Sequence, residues 1–512
     1  MYRLNPSKTT SASAVAFQSA PLRRPRILLF APKECWPPNT GARLRNYYLA
    51  RDLSRNAEVT YLAFADDDIQ PAVKNDVSDA PANFGPFTAA HPLLAPVADQ
   101  SESGCERPAS FHRTVTVRRT AGYSISNLVR GAIGRTPITV LNYTTREMAD
   151  RLSHLLEETH FDIVQIESIH LCAYLPLIRA AKSRPAVICD WHNVESELMW
   201  RYSKHEKHIA RRLYARATAR RIRSFEQRAI QEFDAHLLVS QRDLDNLGEF
   251  APDNRAFVIE NGVDIDRFSD LSLDLAHRAS SIRENGSSNF AGAPELTAFP
   301  PRNRVVYVGS MDYHANEDAA VYFAHSIWPK VHQARPELKF TIVGRDPTPA
   351  VRLLARIPGV ELTGTVEDVR PYYREAISAV VPLRVGGGSR LKILEAMAAG
   401  VPVISTNLGA EGLAVADGEN IIIADSIPEF GKAIVRVSQD SDQWARLSDA
   451  GRRLVRDKYD WSSIGASLRK THAELLLRRD NLLLKDQAWS GESPAPRPSG
   501  LALFPEPERT PI

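Results

Sequence analysis

The sequence predicts an α/β chain of two Rossmann-like domains facing each other across a cleft. Short β-branched runs alternate with longer helical patterns, the mark of βαβ units around a parallel sheet buried on both faces. The chain does this twice, and a polar stretch separates the two series. Its 512 residues, 43% hydrophobic and 24% charged, also suffice for two cores, at roughly 200 residues each.

Residues 1–24, rich in Ser, Ala and Pro, are expected to be a disordered N-terminal segment. The first domain, 25–268, draws strands from RILLF (26–30), VTYLAF (59–64), DIVQIES (162–168), AVICDW (186–191) and AHLLVS (235–240). Residues 66–112 lack periodicity and read as a long surface insertion. A linker or insertion over 269–301 leads to the second domain, 302–460. Its strands are RVVYVG (304–309), KFTIVG (339–344), VELTG (360–364), AVVPL (379–383), PVIST (402–406) and NIIIA (420–424). An amphipathic helix over 461–484 ends the ordered chain, and 485–512 carries prolines too densely for regular structure.

Several function classes are excluded early. No stretch approaches the ~20 apolar residues that span a bilayer, and the first residues lack the apolar run of a secretory signal, so a cytoplasmic location is expected. The four cysteines show no zinc spacing, and no acidic cluster suggests a divalent ion, so neither metal nor cofactor is expected. A formal charge of +3 is nearly balanced and gives no reason to expect nucleic acid.

In open α/β sheets, ligands sit beyond the carboxyl ends of the strands, where glycine lets backbone and helix N-termini approach phosphate. Three strands of the second series run into glycine: at Gly309, followed by Ser310; at Gly344; and through Arg384 into Gly386, Gly387 and Gly388. One nucleotide site is therefore predicted in the C-terminal half. The stretch PLRVGGGSRLKILEAMAAGVPVIST (382–406) is the most informative. Its glycines precede Ser389, a good N-cap, and Leu391, Leu394 and Met397 mark the apolar face of a short helix. About half a positive charge at that N-terminus suits a diphosphate. Arg390 and Lys392 add full charges, and Glu395 is placed to accept hydrogen bonds from ribose hydroxyls.

These residues resemble glycosyltransferase family 4, whose members are retaining enzymes of the GT-B fold. The resemblance spans roughly residues 25–480 and includes ENGVDIDRF (260–268), YVGSMDYHANEDA (307–319), TIVG (341–344), LEAMAAGVPVIST (394–406) and GAEGL (409–413). The wording of GSMDYHAN and GGGSRLKILEAMA is similar to the branch associated with exopolysaccharide and PEP-CTERM/exosortase systems. The family usually has two glutamates eight positions apart; here the second is Glu395, and Gly387 stands where the first would be. The usual Arg and Lys after the first strand of the second domain are also missing, leaving Arg390 and Lys392 to stabilise the leaving diphosphate.

In the first domain the resemblance implies that Gly41 faces the donor phosphates. Either phosphate attraction or solvation accounts for Arg43 and Arg45 just after it. Asp190, His192, Asn193 and Glu195 follow a strand at the sheet's carboxyl edge and are candidates for the acceptor side. The resemblance puts His192 near the acceptor and the transferred sugar; the competing reading makes it a helix cap. The basic stretch 201–228 is either a solvated helix face or a contact with an anionic membrane on the inner side of the plasma membrane. The resemblance implies that helix 461–484 crosses back onto the first domain, where a hinge role and plain core packing explain it equally well.

The expected activity is transfer of a sugar from a UDP- or GDP-sugar donor to a glycan or lipid-linked acceptor, without metal. A nucleotide-sugar epimerase of the same fold and a non-catalytic scaffold of a polysaccharide assembly complex are the alternatives.

Overall fold

The computed structural model describes residues 23–38, 40–65, 111–118, 131, 134, 136–206, 208–248, 250, 255–271, 302–385 and 390–490. Most of the 66–112 insertion, most of the 269–301 linker, and Gly386, Gly387, Gly388 and Ser389 lie outside them.

Two parallel sheets organise the chain. The first contains β1 (Arg26–Ala31), β2 (Glu58–Phe64), β3 (Arg113–Val117), β4 (Ile163–Ile166), β5 (Ala186–Trp191), β6 (Ala235–Leu238) and β7 (Ala256–Val258), in the order β3-β2-β1-β4-β5-β6-β7. The second contains β8 (Arg304–Val308), β9 (Lys339–Val343), β10 (Val360–Gly364), β11 (Ala376–Val381), β12 (Val403–Ser405) and β13 (Ile422–Ile423), in the order β10-β9-β8-β11-β12-β13. Both follow the doubly wound 3-2-1-4-5-6 pattern, whose ligand crevice opens where the strand order reverses. That point lies between β1 and β4 in the first sheet and between β8 and β11 in the second.

Six helices position the candidate site: α1 (Gly41–Leu53), α2 (Glu195–His205), α3 (Ile209–Ala229), α4 (His314–Tyr322), α5 (Leu391–Ala398) and α6 (Trp461–Ser490). One apolar core runs from the α1 face of the first sheet through Trp461 and Ile464 into the second domain, and another fills the opposite face of the first sheet. The central strands are buried on both sides, which explains why they read as continuous β-branched runs.

Two of the contacts that join the domains lie where the chain crosses between them. A bridge pairs Val263 with Asp460, and a Cβ on Gly262 would lie 2.8 Å from the Tyr459 carbonyl oxygen, so the ENGVDIDRF segment needs glycine there. Helix α6 then packs on α1, with Trp461 stacked on Tyr48 at 5.2 Å between ring centroids. It continues to Ser490, past the expected end at 484 and into a stretch expected to be disordered. No helix among the described residues is long and apolar enough to cross a membrane.

Candidate active site in the interdomain cleft

The first-domain half of the site grows from the carboxyl ends of β1, β4 and β5. Helix α1 starts at Gly41, with Thr40 as its N-cap and no acidic residue in its first turn. One turn on, Arg45 is 1% exposed and holds both carboxylate oxygens of Asp190: Nε donates to Oδ2 at 2.9 Å and Nη2 to Oδ1 at 3.0 Å. Its Nη1 donates to the Glu260 carbonyl at 3.0 Å and to Asn261 Oδ1 at 3.2 Å. Neither phosphate attraction nor solvation describes Arg45, because a planar guanidinium bound on two sides pins α1 to β5 and to the ENGVDIDRF segment. Asp190, expected on the acceptor side, is wholly buried and committed to Arg45.

His192 sits at the same edge, with Nε2 3.2 Å from Glu167 Oε2 just past the end of β4. The helix-cap reading does not hold, since α2 has Val194 at its N-cap and no side-chain cap bond. Glu167 is 1% exposed, and its Oε1 accepts from Gln165 Nε2 at 2.7 Å. With its amide nitrogen turned toward the carboxylate, Asn46 donates to Glu167 Oε2 at 3.0 Å and to the Ala42 carbonyl at 3.2 Å. Burial raises the Glu167 carboxyl above its usual range, and the hydrogen bond from His192 opposes that rise.

Glu167, Asp190 and His192 bring three ligand-type atoms within 4.8 Å of one another, a grouping the expectation of no acidic cluster had missed. The Arg45 guanidinium on both Asp190 oxygens opposes a cation there, so the donor set fits an ion pair better than a metal.

Asn193 lines the cleft, whereas Glu195, the first residue of α2, lies near enough to Glu226 of α3 to feel its charge. Burial first, and Glu226 second, push Glu195 up to about 8, and burial pushes Glu226 up to about 7. Glu226 accepts from the Ser196 amide at 3.1 Å and from the Ser196 hydroxyl. Glu226 thus ties α3 to the start of α2, and Glu195 is not among the residues lining the cavity described below.

In the second domain, Gly309 and Gly344 end adjacent strands. Their amides already donate within the sheet, to the Val343 carbonyl at 3.0 Å and to the Gly364 carbonyl at 3.3 Å. A Cβ on Gly344 would overlap the Gly309 carbonyl oxygen at 1.7 Å, so close backbone approach requires that glycine and its amide is not free to bind phosphate. Ser310 is buried, donates to Asp312 Oδ1 and accepts from Arg345 Nε at 3.3 Å.

Helix α5 begins with Arg390, not Ser389, at its N-cap. The Arg390 side chain is 6% exposed and lies 3.5 Å from Glu411 through Nη2; its buried Nε has no hydrogen-bond partner among the described residues. Lys392 turns beneath β8, donating to Asn316 Oδ1 of α4 at 2.7 Å and to the Tyr307 hydroxyl at 3.3 Å. Burial and the neighbouring Arg390 lower its pKa to about 7. Glu395 is buried one turn further on, and that burial raises its pKa well above the usual carboxylate range.

The two halves enclose a cavity of about 70 Å³ lined by Asn193, Arg201, Arg242, Arg390, Glu411 and Tyr459, among others. Arg201 donates to Glu411 Oε2 at 2.7 Å and to Glu197 Oε1 at 2.9 Å. Arg242 pairs with both of these glutamates.

Residues 302–440 match the family described as glycosyl transferases group 1, and residues 108–267 match Glycosyltransferase Family 4. The two matches lie in the two domains and together cover more than half of the chain. The chain belongs to glycosyltransferase family 4.

The chain is similar to the phosphatidyl-myo-inositol mannosyltransferase of Mycolicibacterium smegmatis, 28% identical over 193 residues, which are 36% of this chain and 49% of that protein. An uncharacterized 44.6 kDa protein in the cps region of Klebsiella pneumoniae is 23% identical over 174 residues, covering 32% of this chain and 45% of that one. The chain spans about half the length of the curated relatives it matches. Anabaena HepE in complex with UDP superposes with a TM-score of 0.53 at 14% identity, covering 88% of this chain and all of HepE, which shows the shared GT-B fold.

In this family 4 chain, sequence reasoning missed Gln165 and Glu167, although a readable signal exists. In the otherwise apolar run IVQIES they occupy alternate positions, so both project from one face of a buried strand. Glu411 also escaped notice as a site residue, despite lying between glycines just beyond β12.

Proposed function

We propose that this chain is a retaining, metal-independent glycosyltransferase, moving a sugar from a UDP- or GDP-sugar to a glycan or lipid-linked acceptor in the synthesis of a cell-surface or exopolysaccharide. The observation that carries the reading is Arg390: a buried guanidinium at the head of α5 that lines a cavity between the domains, its buried Nε without a partner among the described residues. The Glu411 carboxylate beside it is shared with Arg201 and Arg242, and a buried donor left without a partner calls for a further acceptor, best an anion. The diphosphate of a nucleotide sugar supplies one, and the relative in complex with UDP supports that choice.

In this mechanism the second domain holds the donor, with Glu395 toward the ribose and the glycine loop 386–388 and Ser389 against the phosphates. Arg390 meets the charge that develops on the leaving diphosphate, where a preorganised donor is most effective. Lys392, with its pKa near 7, gains its proton most readily when that dianion arrives. Gly41 opens α1 toward the phosphates from the other side, and His192 orients a sugar hydroxyl. Closure of the cleft excludes water and limits hydrolysis.

Helix α3 supports peripheral contact with an anionic membrane. Ile209, Leu213 and Tyr214 are 66%, 58% and 60% exposed among Arg211, Arg212 and Arg216, and a purely solvated face gives no reason for those apolar groups. The relative from a cps region supports a polysaccharide pathway.

Release of nucleoside diphosphate from UDP-glucose, GDP-mannose and related donors tests the reading. Wild type is expected to turn over one nucleotide series, and Arg390→Ala to lose about 10²–10³-fold. Equal turnover by the variant would overturn the assignment of Arg390. Epimerised donor without acceptor would identify an epimerase, and binding without turnover a scaffold.

A further inference from the structure

A chain of four side chains leads from the helix that leaves the second domain to His192 at the carboxyl edge of the first sheet. His472 of α6 lies with Nε2 2.8 Å from Gln165 Oε1; Gln165 Nε2 donates to Glu167 Oε1 at 2.7 Å; Glu167 Oε2 lies 3.2 Å from His192 Nε2. His472, Gln165 and Glu167 are 4%, 0% and 1% exposed, so solvent cannot substitute for any link. We propose that Glu167 is the positioning residue of His192, and that α6 fixes it in place through Gln165 and His472.

The polarity of the chain follows from what each group can do. A carboxylate only accepts, so Gln165 presents its nitrogen to Glu167 and its oxygen to His472. His472 therefore donates through Nε2. At the other end Glu167 accepts from His192 Nε2, which leaves His192 Nδ1 without a proton, as a hydrogen-bond acceptor. That tautomer can receive the proton of a sugar hydroxyl and orient its oxygen. The consequence for transfer rests on the proposed function, whereas the tautomer itself does not.

The test is the ¹⁵N spectrum of the ring nitrogens in histidine-labelled full-length protein, with His192 assigned by its loss in His192→Gln. The neutral ring of the wild type is expected to carry its proton on Nε2. Glu167→Gln keeps shape but places an amide donor in the chain, and is expected to give mixed tautomers. Turnover of UDP-glucose or GDP-mannose, whichever is the substrate, should fall in kcat by roughly ten- to a hundredfold, with donor KM held within about twofold. His472→Leu should disturb the His192 signals, and His472→Gln, which restores a donor, should recover them. A wild-type ring protonated on Nδ1 would overturn the proposal, making Asn46, whose amide nitrogen is 3.2 Å from Nε2, the donor to His192. An unchanged tautomer in Glu167→Gln would overturn it too. Absence of any turnover in wild type would count against the transferase reading alone, because the ring spectra decide the relay without substrate.

Discussion

Arg201 of α2 and Glu411 of the second domain share a hydrogen bond of 2.7 Å across the cleft, and Arg390 approaches the same carboxylate at 3.5 Å. One glutamate thus gathers guanidinium groups from both domains at the place where the proposed donor carries its charge. Glu411→Gln is expected to destabilise the ligand-free protein by about 1–3 kcal/mol, because the arginines lose their counter-charge. The rise in Tm on adding UDP or GDP should grow, since the nucleotide no longer competes with the carboxylate. Thermal unfolding with and without nucleotide measures both.

Arg45 and Asp190 form a fully buried pair, for which breaking one side is far worse than replacing both. Arg45→Ala is expected to cost about 3–5 kcal/mol in urea unfolding. Combining Arg45→Met with Asp190→Leu should recover most of that loss, and a double variant no more stable than the single one would show that the pair is not the source.

Glu195 and Glu226 give stability a pH dependence of definite sign. Their folded values, about 8 and about 7, lie above the ordinary 4.5, so the stability they contribute is present below 4.5 and lost as pH rises through 7 and 8. Glu195→Gln should flatten the decline in unfolding free energy between about pH 5 and pH 8. An unchanged slope would show that the pair is hydrated.

Lys392 has the opposite sense. Its folded value near 7 lies below the ordinary 10.5, so the unfolded chain binds more protons between these values and stability climbs with pH across that window. Lys392→Met should raise stability at neutral pH and remove the climb, while weakening nucleotide binding. A loss of stability at pH 7 would mean that the hydrogen bond to Asn316 outweighs the burial of the amine.

Most strands were legible because buried parallel strands leave β-branched runs that few other structures produce, whereas the order of strands in each sheet was not read from the sequence. RTVTV (113–117) escaped as β3 because it is an edge strand with polar alternate positions, following the unpatterned insertion in sequence. AFV (256–258), as β7, is too short to show a period. The site was legible as a neighbourhood more than as a set of roles. Arg390 lines the cavity between the domains and His192 stands at the carboxyl edge of the first sheet, but the partner of Arg45 lies 145 residues away, and no local pattern encodes such a pairing. Gly344 was read as a phosphate contact, although its nearest demand is the Gly309 carbonyl, a contact set only when two strands lie side by side.

Calorimetric titration of UDP and GDP into wild type and Arg390→Ala tests the central claim most directly. The account predicts one-site binding of one nucleotide by the wild type, weakened at least tenfold, or about 1.4 kcal/mol, in the variant. Equal affinity in the two proteins, or no binding of either nucleotide to the wild type, would contradict it.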